Sequence, residues 1–418
     1  MDLPTRGGTI RRQLPNPREL RPLLRFRPPR LDRTRARLER AADVGDIRRI
    51  ARRVTPTAPF DYTDGAANSE ETARRNRRAF LDAELRPTVL RDVATVDTST
   101  EILGQRSELP LGIAPTGFTR MMHSAGELAG ARAAGRAGIP YALSTMGTTS
   151  IEELAEQVPD TRRWFQLYTW HDHRERAREL VDRAQAAGYD TLLVTADTAT
   201  GGQRHRDHRN GMTIPPQLTP RTLLDASYRP RWWIDFLTTE PLTFATLSSS
   251  SGDSMGQIMK VFDPALSWAD IAWIREAWDG SLVIKGIQTP QDARRAVDTG
   301  VDALYLSNHG GRQLDRAPVP LLELPEVRRA VGPEVPIILD SGITSGGDVL
   351  AALALGADFT MIGRAYLYGL MAGGQQGVER VLEILRAEIE VGMRLLGVRS
   401  IAEIGPEHAR LHWREPRA

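Results

Sequence analysis

Cysteine is absent from the 418 residues. Disulfides, thiolate metal centres and cysteine nucleophiles are excluded at the outset. Lysine is nearly absent too: only Lys260 and Lys285 occur, every other basic side chain being arginine. With arginine as the default, a retained lysine marks a place that wants a compact ammonium charge. The N-terminus lacks an apolar h-region, and the longest apolar run near the C-terminal end, 350–371, is interrupted by Asp358 and Arg364. Neither a signal peptide nor a membrane span is expected. The net charge of +2 is too small for a nucleic-acid binder, and Arg11, Arg12, Arg18, Arg21, Arg25 and Arg27 concentrate the basic character in the first forty positions. Such a stretch suits an irregular arm or an acidic membrane surface.

What is present is ample core material, 41% hydrophobic, enough for one large α/β domain or two smaller ones. Residues 1–42 read as a basic, irregular arm and 43–418 as the folded domain. A short helix is expected from Asp43 to Val54 and another from Ser69 to Leu81, with Ser69 as N-cap and Glu70 and Glu71 in the first turn. Between them, Pro59 to Gly65 reads as a loop carrying the Tyr62 hydroxyl. From about residue 110 the pattern becomes regular. Strands are expected at Leu111–Ala114, Tyr141–Ser144, Trp164–Tyr168, Thr191–Thr195, Leu282–Lys285, Ala303–Leu306, Pro336–Leu339 and Phe359–Ile362. Ala-rich helices lie between them, at Gly126–Ala137, Arg174–Ala187, Pro290–Val297 and Gly347–Leu355, and Gly138, Gly188, Gly300 and Gly356 follow as C-terminal caps. Eight such units match a parallel (β/α)₈ TIM barrel of the α/β class, with an N-terminal helical extension and a long insertion after strand four, about 201–262. A doubly wound open sheet is the rival, weakened by the lack of G-x-G-x-x-G after the first strand.

In a barrel the chemistry gathers at the C-terminal strand ends. There stand Pro115, Thr116 and Gly117; Ser144; Gln166 and Tyr168; Thr195 and Asp197, followed by Arg204; Lys285; Ser307 and His309; Asp340-Ser341-Gly342; and Gly363-Arg364. Packing alone does not call for hydroxyl, amide, lysine, histidine and arginine groups at nearly every such position. Ser144 and Thr195 taken singly read equally well as core hydroxyls. The ends of strands seven and eight suit a phosphate, which points to a phosphorylated cofactor. His309 and Arg312, three residues apart, suit proton abstraction from an anionic substrate, although an isolated H-x-x-R is more often a surface loop.

The stretch SNHGGRQLD at 307–315 resembles the FMN-dependent 2-hydroxy-acid oxidase and dehydrogenase family, and FDYTDGAA, IAPTG, LSTMGTTSIEE, WFQLY, VTADT, VIKGI and IGRAYLYGL support it from Asp43 onward. The resemblance implies FMN as cofactor and His309 as the base that removes a substrate proton while the flavin takes the electrons. It makes Asp197 the carboxylate paired with His309, Arg204 and Arg312 the clamp on the substrate carboxylate, and Tyr62 and Tyr168 the hydroxyls completing the pocket. It places Lys285 beside the flavin N1 and O2. Pro115, Thr116, Gly117, Ser144, Gln166, Thr195 and Ser307 correspond to ring and ribityl contacts, and Asp340, Ser341, Gly342, Ile343, Thr344, Gly363 and Arg364 to ribityl and phosphate contacts. The family commonly forms tetramers, so a homotetramer is expected.

Departures refine the expectation. Thr344 stands where many members carry a basic residue, leaving Arg364 more of the phosphate. Met146 replaces the aromatic residue usual in glycolate oxidases, and Gly117 the alanine usual in true oxidases. Within the family the likeness is greatest to the L-lactate dehydrogenases of actinobacteria. The expected reaction is oxidation of an L-2-hydroxy acid, L-lactate to pyruvate first, with electrons passed to quinone or another acceptor; the alternatives are an oxygen-using oxidase and a dehydrogenase of a different 2-hydroxy acid or related alcohol. The expected location is cytoplasmic, with peripheral contact at the inner face of the cell membrane through the insertion. That insertion carries Arg231-Trp232-Trp233-Ile234 and the Ser/Gly-rich tract Ser248–Ser254; the tryptophans suit burial under a lid or, second, a membrane interface. His205, Asp207 and His208 lack a ligand framework, and no metal is expected.

Overall fold

The computed structural model describes residues 32–170, 173–211, 224–225, 227–247 and 262–412. Helix α1, Arg33–Leu38, falls within the stretch expected to be irregular. Helix α2, Val44–Val54, is capped by Asp43, whose carboxylate accepts the Asp46 N–H. Helix α3, Thr57–Asp64, covers the segment expected to be a loop. The correction has a non-local cause. Pro56 offers no cap, and Asp225 of the insertion instead accepts the Thr57 N–H at 2.7 Å and its hydroxyl at 3.1 Å. Helix α4 begins at Glu71 rather than at Ser69, because the Ser69 N–H and hydroxyl turn to Asp315, at 3.0 and 2.5 Å, and Asp315 also accepts the Thr72 N–H at 2.9 Å. A carboxylate from the motif loop thus serves as the cap that the local sequence assigned to serine.

Eight parallel strands close a barrel: β1 Leu111–Ile113, β2 Tyr141–Ser144, β3 Arg163–Leu167, β4 Thr191–Thr195, β5 Ser281–Ile287, β6 Ala303–Leu306, β7 Ile337–Leu339 and β8 Phe359–Ile362, each paired with the next and β8 with β1. The expected strands are present with small shifts at their ends, and β5 runs on past an irregularity between Lys285 and Ile287. Trp164, Tyr305, Phe359 and Met361 fill the barrel interior with smaller neighbours from alternate strands. The surrounding helices are α5 Gly126–Ala137, α6 Ile151–Gln157, α7 Arg174–Ala186, α8 His205–Arg209, α9 Pro230–Thr238, α10 Trp268–Ala277, α11 Pro290–Asp298, α12 Pro320–Val331, α13 Gly346–Ala354 and α14 Arg364–Leu396. Gly138, Gly188, Gly300 and Gly356 all follow helices with positive φ, as expected.

Among the elements that the sequence reading did not mark are α14 and a short two-stranded sheet. α14 runs 33 residues, broken at Gly373 and Gly374, and packs its buried face on α2 and α5. The short antiparallel pair Ala83–Leu85 and Ala409–Leu411 ties the segment after α4 to the end of the described chain. No helix among the described residues is long and apolar enough to cross a membrane. In the insertion, α9 carries Trp232 and Trp233 half-buried, not buried under a lid, while Ile234 and Leu237 stay 64% and 67% exposed. The tract Ser248–Ser254 lies outside the described residues.

Candidate active site

The C-terminal strand ends open into a cavity of about 540 Å³, within the range of small-ligand sites. β6 delivers His309 to its edge. The turn is fixed from three sides: Asn308 and Asn76 of α4 exchange amide hydrogen bonds at 2.7 and 2.8 Å, the Ser341 hydroxyl accepts the Asn308 and Gly310 N–H groups, and the Ser307 hydroxyl accepts the His309 N–H at 3.0 Å. His309 itself sits at φ +58° and Ser341 at φ +75°. Backbone in this region costs of order 1–3 kcal/mol for a residue with a side chain, and it persists where the surroundings over-determine it.

The His309 Nδ1 lies 3.3 Å from Asp197 Oδ1. With Nδ1–H turned to the carboxylate, Nε2 keeps its lone pair for the cavity. Burial, with the nearby Lys285 charge, holds His309 below the ordinary histidine pKa against the opposing pull of Asp197. At neutral pH the imidazole is neutral and can accept a proton. Burial pushes the Asp197 carboxyl up, but His309 and Lys285 outweigh it and keep the group below the usual carboxylate range. Its Oδ2 is buried without a partner among the described residues. The approach is close because residue 286 is glycine at φ +101°; a Cβ there would meet the Asp197 side chain at 2.8 Å.

Two guanidinium groups share one ring. Arg312 lies 4.9 Å and Arg204 5.4 Å from the Tyr62 ring centroid. Arg312 donates to the Tyr62 carbonyl at 2.5 Å, and Arg204 pairs with Asp207 at 2.8 Å. Burial and the proximity of Arg204 push Arg312 down to about 10. A pair of like charges held this way favours an anion between them. Tyr168 is buried and its hydroxyl pKa is raised by burial, so it stays a proton donor. Phe262, from the far end of the insertion, stands edge-on to Tyr168 at 5.7 Å.

The rest of the cavity suits a flat, polar ring with an anionic tail. Ser144 donates to the Gln166 side-chain oxygen Oε1 at 2.8 Å, and the Gln166 side-chain amide donates to the Thr195 hydroxyl at 2.9 Å, so these three form one buried relay. Lys285 is 3% exposed and donates to the Ser307 hydroxyl at 3.3 Å, a weak partner for a buried ammonium that lines the cavity. At the opposite end, a Cβ on Gly363 would touch nothing within 4 Å, and Gly363 is the N-cap of the long helix α14. Open space before helical N–H groups is what a phosphate needs. Thr344 turns its N–H to Asp348 at 2.8 Å, and Asp348 pairs with Arg77 of α4 at 2.5 Å. Arg364 donates to the carbonyls of Thr63, Gly310 and Gly65 at 2.7–2.9 Å, which binds the α3 end to the His309 turn and leaves its remaining N–H groups for a ligand.

Of the residues singled out in the sequence, Pro115, Thr116, Gly117, Asp340, Ser341, Gly342, Ile343 and Thr344 join Tyr62, Tyr168, Arg204, His309 and Arg312 on the cavity lining. Gln166, Thr195, Asp197 and Ser307 stand behind it, each bonded to a lining residue except Thr195, which reaches it through Gln166. Sequence reasoning missed Phe262, Phe118, Met122, Arg74 and Arg77. Phe262 closes a connection without a motif, and the arginines of α4 are lost among many alike. A helical period through α4 that places Asn76 and Arg77 inward was the one signal available.

A family model described as FMN-dependent dehydrogenase matches residues 51–411. A Mycobacterium tuberculosis protein, named provisionally as an L-lactate dehydrogenase, is 56% identical over 96% of each chain. The L-lactate dehydrogenase of Xanthomonas campestris is 44% identical over 86% of this chain and 95% of its own. Among solved structures, the monotopic membrane protein (S)-mandelate dehydrogenase superposes with a TM-score of 0.86 at 38% identity, over 89% of this chain and 100% of its own. A mandelate oxidase superposes at 0.76 and 36%, over 88% and 98%.

Proposed function

The chain belongs to the FMN-dependent dehydrogenase family, and from that premise we propose that it oxidises L-lactate to pyruvate and passes the electrons to a quinone. The observation that carries the reading is the convergence of a neutral His309, backed by Asp197, with the Arg204 and Arg312 pair at one end of the cavity. A 2-hydroxy acid offers that end an anion and a proton to lose. Arg204 and Arg312 hold its carboxylate, and Tyr62 and Tyr168 bound the pocket and offer hydroxyls to its oxygens. His309 Nε2 takes the departing proton, and Asp197 stabilises the resulting imidazolium.

FMN, when bound, supplies the acceptor for the two electrons. Lys285 and the relay Ser144, Gln166 and Thr195 would hold its ring, with Pro115, Thr116, Gly117 and Ser307 beside it. Asp340 to Thr344, Gly363 and Arg364 would hold its ribityl phosphate. Lys285 would offer that ring a positive charge as it takes up electrons.

The sequence relatives named for L-lactate support the acid. Gly117 supports an acceptor other than oxygen. A membrane-side acceptor is supported by α9, where exposed Ile234 and Leu237 stand beside Trp232, Trp233 and Arg231 and exposed Tyr228 precedes the helix, the composition of an interfacial helix. This reading makes the enzyme a homotetramer in the cytoplasm, in peripheral contact with the inner face of the membrane.

Anaerobic titration of the purified yellow protein with L-lactate tests it. The expected result is bleaching of the flavin band, slow recovery in air and fast recovery with a soluble quinone. Bleaching by (S)-mandelate but not by L-lactate would replace the substrate; fast recovery in air would make the protein an oxidase.

A further inference from the structure

Glu127 lies in the first turn of α5 and is 0% exposed. It forms no ion pair with a basic side chain among the described residues. Its carboxylate instead accepts the Thr148 N–H at 2.7 Å, the Thr148 hydroxyl at 2.6 Å and the Thr149 hydroxyl at 3.1 Å. Burying an ion without a counterion is costly. Here three donors and the N-terminal end of α5 offset that cost, and all three donors belong to one short segment, the loop after β2.

That loop is held from other directions as well. The Thr246 hydroxyl, from the insertion, donates to the Thr149 carbonyl at 3.1 Å, and the Phe118 N–H donates to the Met146 carbonyl at 3.0 Å. The loop carries Met146 into the cavity lining, where it faces Gly117. A Cβ at residue 117 would lie 2.7 Å from the Met146 Cβ and 3.0 Å from its carbonyl oxygen. Both of those atoms are set by the loop backbone, so no rotation of the methionine side chain makes room. Only displacement of the loop would.

We propose that Glu127 is a positioning residue for the pocket: it sets the 145–149 loop, which sets Met146 as the wall beside Gly117, so that residues 117 and 127 act on one coupled element. Substrate shape is then governed by a carboxylate that touches neither substrate nor cofactor. The proposal rests on the hydroxy-acid reading only for the choice of probes.

The test uses the holoenzyme and the variants Glu127→Gln, Glu127→Ala, Gly117→Ala and the double variant Gly117→Ala/Glu127→Ala. One readout is kcat/KM across straight-chain L-2-hydroxy acids from lactate upward. Glu127→Ala is expected to change the ratio of longer to shorter acid by roughly tenfold, the scale of a methylene in a pocket, while Glu127→Gln, which still accepts hydrogen bonds, restores it to within about threefold. The second readout is the melting temperature. Gly117→Ala should lower it in the wild-type background and lower it much less once Glu127→Ala has released the loop.

An unchanged acid-length ratio in Glu127→Ala, with a lowered melting temperature, would reduce Glu127 to a packing role. Additive melting losses would equally overturn the coupling. If Glu127→Ala fails to fold, Thr149→Val removes one donor and must move the same ratio in the same direction by less. Should the wild-type protein turn over no hydroxy acid, the functional reading fails while the melting cycle still decides the coupling.

Discussion

Two buried carboxylates with nearly equal exposure behave oppositely. Asp64, at the C-terminal end of α3, is 7% exposed and accepts from Arg48 at 2.6 and 2.8 Å, Tyr368 at 2.7 Å and Arg206 at 2.9 Å. The Asp197 side chain is 5% exposed, and among the described residues its carboxylate pairs with His309 at 3.3 Å while Oδ2 has no partner. Burial raises both and is outweighed in both: hydrogen bonds from Arg48 and Tyr368 carry the Asp64 carboxyl down to about 2, while the His309 and Lys285 charges hold Asp197 below the usual carboxylate range. The saturated carboxylate is a joint that locks α2, α3, α8 and α14 around Tyr62. The unsaturated one keeps capacity for a charge that forms next to it when His309 is protonated. Lone pairs left unused in a buried site mark the place where the electrostatics change during turnover.

Substitution at the reactive end should separate the two most. His309→Gln is expected to lose roughly 10²–10⁴-fold in kcat, the usual share of a general base, while the flavin absorbance band and melting temperature stay near wild type. Retained turnover in that variant would remove the contrast altogether. Asp197→Asn should come next, with kcat lowered by about 10²-fold and little loss of stability, since it gives up one long hydrogen bond.

Asp64→Asn should show the reverse pattern. Its arginine partners are 43% and 30% exposed, so the expected loss is about 2 kcal/mol, less than the roughly 3–5 of a fully buried pair, with kcat nearly unchanged. The pH dependence follows in sign. A carboxyl whose folded pKa is depressed stabilises the protein above its unfolded value of about 3.9 and loses that contribution as pH falls towards the folded value. Acid unfolding of the wild type should therefore steepen between about pH 4 and 2, and Asp64→Asn should flatten that part of the curve.

The smallest expected effect concerns the acid limb of kcat/KM, which reports the free enzyme's base. Burial and Lys285 depress His309, so the limb should lie below the ordinary histidine value of about 6.5. Lys285→Met should move it upward. A limb that stays in place would mean that burial alone sets the histidine.

Much of this architecture is legible locally. The barrel strands announce themselves because each is a short apolar run closed by polar groups, and a parallel barrel puts those groups at one end. The Ala-rich helices end in glycines whose positive φ the helix terminus requires. What misleads is capping from a distance. Ser69 reads as an N-cap and Pro59 to Gly65 as a loop, because Asp315 and Asp225, which cap α4 and α3, stand 246 and 168 positions away from the residues they hold. The same holds for Arg364. Its type and place suggest a phosphate ligand, and only the fold shows that three carbonyls also claim it.

Fold class, the chemical groups at the strand ends and the family are readable along the chain, since these depend on periodicity, residue type and short motifs. Which of those groups have bonding capacity to spare emerges only from the folded arrangement. Asp64 and Asp197 are the same residue type in the sequence. One is saturated and the other waits because partners that are remote in the chain, Arg48, Arg206 and Tyr368 in one case and His309 and Lys285 in the other, are brought within reach only when the barrel closes.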